Sequence, residues 1–368
     1  MIDTAPDMAR MRRQRSERLR TMMAAHDVEV LLLAAGRNVE YATGFPVTLE
    51  DAPASRRSDR LAMVAGDGVA WLVDASIDDD PAAALGAVVE AVAGRGRCRL
   101  GVDELTVPLL ETLRSVRAVE VVDATPVMRD ARIVKTVDET SCIRAAQRIN
   151  EAAVDTLRGD AVPGVSETVL TERFLRRIVQ LGAAANLVDP VWQSMTATAE
   201  RTRFGQPAYP APPRGRVLAD GDIIWVDTGV AYGGYSSDLG VTWPVGASTA
   251  AHRDDFRRWR EVTDTVLGAV CAGARGSDLV NAARAATDAP WLRHLYLAHG
   301  LGMNSSEPPL LGTTDPTSDE VTLESGMVLV VEPVIWAEGG GGYRGEEMVR
   351  VTDDGYEMLS RRIDGADG

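Results

Sequence analysis

Leucine and methionine recur at helical spacing over residues 8–25, and the chain then passes into a short, mostly apolar run at 28–34, the pattern of a helix feeding a buried strand. Short apolar runs at 61–64, 70–73 and 119–122 read as further strands, alternating with helical patterns at 81–93 and 109–116. This alternation predicts an α/β domain that ends near Ala131. Over 135–158 the period becomes that of one long helix, with Ile143, Ala146, Ile149, Ala153 and Leu157 on one face and Asp138 and Glu139 in the first turn. Pro163 and Gly164 break it, and 166–179 reads as a second helix with Ser166 as N-cap. Beyond Pro190 the pattern is mostly strand-like, punctuated by a proline-rich loop at 208–215 and a glycine run at 339–342. Two domains are therefore expected, residues 1–131 and 132–368.

Two strand pairs in the second domain carry acids where acids are costly. IIWVD at 223–227 is a strand signal, Gly233 and Gly234 mark a turn, and SSDLGVTW at 236–243 reads as the returning strand, which sets Asp227 beside Asp238. An unpartnered carboxylate buried after four apolar residues costs roughly several kcal/mol, so Asp227 requires a partner. For this pair alone, a cation is one answer, and a turn-capping aspartate next to a salt-bridged one is another. The arrangement recurs in MVLVVE at 327–332 and EEMVRVT at 346–352, which puts Glu332 and Glu346 in strand interiors. Strand alternation sends Glu347 to the opposite face from Glu346. His299 lies in the turn-like AHGLG at 298–302. Four carboxylates and one imidazole together suit two divalent ions about 3.5 to 4 Å apart sharing a solvent molecule, whose pKa then falls to roughly 7 and which serves as the bridging hydroxide. Manganese is the expected ion, and iron, cobalt or zinc are also suited to this donor set.

Composition narrows the alternatives. The 45% hydrophobic and 25% charged content is that of a soluble globular protein, without the bias of a disordered chain. A net charge of -15 argues against nucleic acid as a partner, and the basic run from Arg10 to Arg20 reads as a solvated helix face. Lys135 is the only lysine and stands outside any glycine-rich loop, which removes P-loop NTPases and Schiff-base enzymes. Cys98, Cys142 and Cys271 are odd in number and far apart, so reduced thiols and a cytoplasmic address are expected. Charges in the first twenty residues do not match a signal peptide, and no apolar run suggests a membrane anchor.

The motifs VDTGVAYGGYSSDLGVTW, HGLGM, GMVLVVEP and GEEMVRVTDDG resemble, in order and spacing, the pita-bread metallopeptidases: methionine aminopeptidase, prolidase and aminopeptidase P, with creatinase as a relative. NVEYATGF at 38–45 and VKTVDETSCI at 134–143 resemble the N-terminal domain and linker helix of the prolidase and creatinase branch, so the likeness covers nearly the whole chain. It implies an α+β protein, with a C-terminal pita-bread domain of helices over a curved antiparallel sheet, preceded by a smaller α/β creatinase-type domain. It also implies Asp227, Asp238, His299, Glu332 and Glu346 as ligands of two metals, with Glu332 doubling as proton shuttle. Arg344 matches an arginine that holds a substrate carboxylate or braces Glu346. A homodimer is implied as well, in which Tyr41 or Arg60 reaches a neighbour's pocket.

The chain departs from this pattern at two histidines that contact substrate in the peptidases. Seven residues beyond His299, where one is expected, stand Ser306, Glu307 and Pro308, and 201–218 holds no histidine for the other. The remaining histidines are His26, His252 and His294, of which His294 is the candidate for compensation. Three readings follow. The first is hydrolysis of a peptide or small amide C–N bond, with Ser305, Ser306 or Glu307 in the histidine's place and Trp192, Phe204 or Tyr209 shaping the pocket. The second is a specialised small-molecule enzyme cleaving C–N or C–S bonds, as creatinase and dimethylsulfoniopropionate lyase do on this fold. The third is a non-catalytic binding homologue. A serine-triad hydrolase is disfavoured by the absence of GxSxG.

Overall fold

The computed structural model describes residues 5–46, 60–65, 68–74, 90, 94, 98–104, 111, 113, 119–196, 215–287, 296–313, 315–336 and 342–365. The chain divides into two compact units, Pro6–Arg132 and Ile133–Gly368.

In the first unit, α1 (Met8–Ala25) starts at Asp7, whose carboxylate accepts from the N–H groups of Ala9 and Arg10, and it buries Met11, Leu19 and Met23. The fully buried β1 (Val30–Leu33) and the short α2 (Gly36–Thr43) follow. β2 (Arg60–Ala65), β3 (Gly68–Asp74), β4 (Cys98–Val102) and β5 (Val119–Asp123) complete a mixed sheet in the order β3-β2-β1-β4-β5. β1 runs antiparallel to β2 and parallel to β4. α3 (Thr125–Ile133) closes the unit. The periodicity does not single out β4, because Arg99 and Gly101 interrupt it, and α2 is too short to display a period. The helical patterns at 81–93 and 109–116 fall largely outside the described residues.

The second unit opens with α4 (Val137–Arg158), started by a capping box in which Thr136 and Glu139 satisfy each other's backbone N–H. α5 (Glu167–Gln180) is capped by Ser166. β7 (Asp222–Tyr232) pairs antiparallel with β6 (Ala185–Thr196) and with the hairpin strands β8 (Tyr235–Ser236) and β9 (Leu239–Pro244). After α6 (Ala250–Leu267) and α7 (Gly276–Ala286) come β10 (Ala298–Gly300), β11 (Glu307–Leu311), β12 (Val328–Val331), β13 (Val334–Trp336), β14 (Gly342–Arg344), β15 (Glu347–Val351) and β16 (Tyr356–Met358). β11-β10-β12-β15-β16 form one antiparallel sheet, and β13 pairs with β14.

Each helix pair covers one face of a sheet. Ala146, Ala153, Leu157, Leu170 and Phe174 pack on Ile224, Val226 and Val241, and Trp259, Val262 and Leu279 pack on Leu329, Val331 and Val349. Burying each such Leu, Ile or Val side chain stabilises the fold by about 1.5–3 kcal/mol relative to exposure. The pleat then fixes the polar side. Asp227 follows Val226 and Glu332 follows Val331, so both carboxylates point away from the helices.

Candidate metal centre

Asp227, Asp238 and Glu346 each offer an oxygen within 4.8 Å of the other two. His299 Nε2 lies 3.4 Å from Asp238 Oδ2 and 3.3 Å from Glu332 Oε1, so all five side chains converge on one place. Their residues are each 8% exposed or less.

The backbone that carries them differs in detail from the sequence expectation. Asp238 sits in a two-residue gap between β8 and β9 rather than inside one continuous strand. Ala231 faces Ser236 and Thr228 faces Leu239, so the register is kept across the gap. Ser237 fills it, its N–H donating to Val230 O at 2.9 Å and its Oγ accepting from Val230 N at 3.1 Å. Glu332 and Glu346 stand at strand junctions, just after β12 and just before β15, rather than in strand interiors. His299 lies within β10, opposite Val330 and Leu310, rather than in a turn. The glycine that follows it is needed for close approach, since a Cβ on Gly300 would lie 2.4 Å from Pro308 O.

Arg344 lies in the middle of the acids. Its Nη1 donates to Asp227 Oδ2 at 3.0 Å, its Nη2 lies 2.5 Å from Glu332 Oε2 and 2.7 Å from Glu346 Oε1, and the guanidinium stacks 4.4 Å from the Trp225 ring centre. Trp225 and Thr242, whose hydroxyl donates to Arg344 O at 2.7 Å, belong to the site's support, and the sequence reading did not single them out. The same holds for Gly240, opposite Asp227. A Cβ there would lie 2.4 Å from Glu346 Oε1, so only glycine leaves room for that carboxylate. An isolated glycine in a strand pattern is the signal that marks such a close approach.

One guanidinium and one imidazole face four carboxylates, and the electrostatics follow from that imbalance. Burial and the neighbouring Asp227 charge push Asp238 up to about 8, and burial with Asp238 beside it pushes Glu346 well above the usual carboxylate range. Burial also raises Asp227 against the opposing pull of Arg344. For Glu332 the burial penalty is outweighed by Arg344 and His299, and its carboxyl is held below the usual value. Burial disfavours the His299 imidazolium, but Glu332 and Asp238 overcome it and raise the ring to about 9. Glu346 Oε2 is buried without a hydrogen-bond partner. His299 Nδ1 donates to Gly300 O at 2.9 Å in the tautomer that leaves Nε2 open toward Asp238 and Glu332. An oxygen-rich donor set with an orphaned carboxylate oxygen and one open imidazole nitrogen fits divalent ions.

Other residues proposed from the sequence are placed differently. Trp192 is fully buried on the helix side, edge-on to Phe174 at 5.7 Å, so it does not shape a pocket. Its β6 position faces Val226, which points into the helix-side core. Glu307 is buried, accepts from Asn304 N–H at 2.9 Å and lies 3.8 Å from Lys135 Nζ, which commits it to the fold rather than to substrate. Ser306 is exposed and Ser305 partly so. Tyr41 is buried in the first unit with its hydroxyl donated to Ala131 O at 2.8 Å, so it does not reach outward. Arg60 begins β2, and its side chain is outside the described set. His294, Phe204 and Tyr209 lie outside the described residues. His26 pairs with Asp130 in the first unit, and His252 is buried against the Tyr343 ring.

The convergent acids and histidine make a candidate metal centre, and the family match assigns the chain to the metal-dependent hydrolases. The chain belongs to metallopeptidase family M24, whose model matches residues 141–353, and a creatinase/prolidase N-terminal domain matches residues 15–134. Methionine aminopeptidase 1 of Mycobacterium tuberculosis is 27% identical over 241 residues, covering 59% of this chain and 90% of that protein. An uncharacterised peptidase of Bacillus subtilis, YqhT, is 24% identical over 363 residues, covering 94% of this chain and 97% of its own. Among solved structures, the Xaa-Pro dipeptidase from Bacillus anthracis superposes with a TM-score of 0.78 at 21% identity, over 96% of this chain and 98% of that one. The X-Pro aminopeptidase from Thermotoga maritima gives 0.77 at 19% identity, over 95% and 98%. The shared fold is the pita-bread fold preceded by a creatinase-type domain. Among the described residues no helix is long and apolar enough to cross a membrane.

Proposed function

We propose that this chain is a dinuclear-metal peptidase of the Xaa-Pro dipeptidase or aminopeptidase type, cleaving the C–N bond of a short peptide or small amide. The observation that carries the reading is the convergence of Asp227, Asp238, His299, Glu332 and Glu346 with an unmatched excess of buried negative charge. These five residues would hold two divalent ions, manganese being the proposed pair. Such ions supply Lewis-acid activation of solvent and of a substrate carbonyl. Glu332, kept ionised by Arg344 and His299, takes the proton released by the attacking solvent and returns it to the leaving nitrogen. Arg344 holds the carboxylates of Asp227, Glu332 and Glu346 in place, a positioning role that leaves Glu332 Oε1 turned toward His299. A homodimeric, cytoplasmic protein is part of the proposal.

The test is metal analysis of the purified chain combined with turnover of a dipeptide panel that includes Xaa-Pro substrates, with added Mn²⁺ or Co²⁺. Metal-dependent release of an amino acid is the expected result, and a chain that binds no divalent ion overturns the reading. A second reading is supported by Ser306 standing where the peptidases carry a histidine. Under it the chain is a specialised small-molecule C–N or C–S cleaving enzyme, and stoichiometric metal without turnover of any dipeptide favours it.

A further inference from the structure

Glu346, just before β15, and Glu347, its first residue, are consecutive, nearly fully buried carboxylates that meet different partners. Glu346 turns to the acid cluster. Glu347 turns to the helix side, where Arg260 Nη1 on α6 donates to Oε1 at 2.5 Å, Ile363 N–H donates to Oε1 at 3.0 Å, and Ser360 Oγ donates to Oε2 at 3.0 Å. Two of these three donors come from the segment that follows β16. That segment is itself anchored, with Arg361 N–H donating to Glu151 Oε1 at 2.6 Å and its guanidinium bidentate on Asp155 at 2.6 and 2.7 Å.

Glu346 is paired with Arg344 on one side and borders a cavity on another. A cavity of about 330 Å³ lies between α4, β9 and the C-terminal segment, and its walls include Glu346, Gly240, Leu239, Gln147, Glu151 and Ile363. The Glu346 side chain lies directly over Gly240, where a Cβ would come within 2.4 Å of its Oε1, so Gly240 leaves room for the carboxylate on that side. Its backbone is held by its N–H bond to Gly240 O at 3.0 Å and, one residue on, by the pairing of Glu347 with Val331, while three bonds to the Glu347 carboxylate tie that residue to α6 and the C-terminal segment. Because the Cα atoms of Glu346 and Glu347 belong to one rigid planar peptide unit, a displacement of Glu347 is passed on to Glu346.

We propose that Glu347 is a positioning residue for the ligand Glu346, and that the C-terminal segment, through Ser360 and Ile363, is part of the scaffold that sets the metal centre. This inference rests on the metal-binding reading above, and two measurements separate the fates of the two. The first is Mn²⁺ affinity and stoichiometry by calorimetry for the parent, Glu347→Ala, Ser360→Ala and, as a control for general destabilisation, Leu279→Ala in the α7 core. Loss of outer hydrogen-bond partners typically costs 10–100-fold in metal affinity. We therefore expect about a ten-fold or larger loss in Glu347→Ala, a smaller loss in Ser360→Ala, partial recovery in Glu347→Gln, and parent-like affinity in Leu279→Ala. The second is amide exchange of Glu346 in the metal-free proteins, expected to accelerate in Glu347→Ala and Ser360→Ala but not in the control. Should the parent bind no Mn²⁺, the metal reading fails and the exchange result alone decides the positioning claim. Parent-like affinity together with unchanged exchange in Glu347→Ala and Ser360→Ala overturns it, as does an equal loss in Leu279→Ala. If Glu347→Ala does not fold, Ser360→Ala, which removes a single hydroxyl, carries the test.

Discussion

Asp103 in the first unit and the acid cluster in the second solve the same problem in opposite ways. The Asp103 carboxylate accepts from Ala34 N–H at 2.7 Å, from Ala35 N–H at 3.3 Å and from Asn38 Nδ2 at 2.8 Å, so neutral donors surround it. The four cluster carboxylates share one guanidinium and one imidazole, and an oxygen of Glu346 has no partner. A desolvated charge supplied with donors is architecture, holding the start of α2 against the end of β4. A group of desolvated like charges without enough donors is unstable by itself, and it becomes stable when cations arrive. The distinction yields measurements in which the two places should part company.

The largest separation is in catalysis. Glu332→Gln removes the group assigned to move protons and keeps its shape, so turnover should fall by about 10²–10⁴ while bound metal remains measurable. A variant that retains parent turnover would remove Glu332 from the mechanism. A fall accompanied by metal loss would show that its charge serves binding first.

Next is the pH dependence of stability in the metal-free protein. Asp238, displaced upward to about 8, and His299, raised to about 9, both bind protons more tightly folded than unfolded. Their contribution is therefore fully present below the unfolded values and is lost as pH rises through 8 to 9. Glu346, also raised, acts in the same direction, and Glu332, lowered, acts in the opposite direction only near the ordinary carboxylate range. Denaturant midpoints of the metal-free chain should fall between pH 6 and about 9, and saturating Mn²⁺ should abolish that fall because the ions take the protons' place. Equal pH profiles with and without metal would mean that the cluster is not where the ions bind. At a single pH, Arg344→Met should lower the stability of the metal-free chain by about 3 kcal/mol, since it removes the lone guanidinium from three buried carboxylates.

Much of this was legible from one sequence, for identifiable reasons. α1 shows its period over eighteen residues, and the apolar runs that contain Asp227 and lead into Glu332 make each acid stand out. The cluster could be read because charge is conspicuous against such a background. What stayed hidden depends on partners distant in sequence. Glu307 looked available for substrate because nothing nearby in the chain reveals Lys135 beside it. Trp192 looked like a pocket residue because an aromatic side chain in a strand has no visible face until its register with Val226 is known. Tyr41 lies in a motif of mixed polarity whose buried side appears only once α2 is packed. The gap at Asp238 depends on a serine bonding across the hairpin, which leaves no mark in the periodicity.

The smallest effect tests the other half of the comparison. Asp103→Ala removes the acceptor for Ala34, Ala35 and Asn38, and leaving such donors without a partner costs about 1–3 kcal/mol. Arg132 also donates to Asn38 Oδ1 at 2.6 Å, so the loss should spread to the end of α3 but stay within the first unit. Hydrogen exchange is the discriminating readout: amides of α2 and β1 should exchange faster, while those of β7 and β12 keep parent rates and Mn²⁺ affinity is unchanged. Asp103→Asn should recover part of the stability, because its carbonyl oxygen still accepts from Ala34 while its amide meets the Asn38 donor unfavourably. If Asp103→Ala instead weakened Mn²⁺ binding as much as a change in the cluster does, the separation between an architectural carboxylate and a metal-seeking one would not hold for this protein.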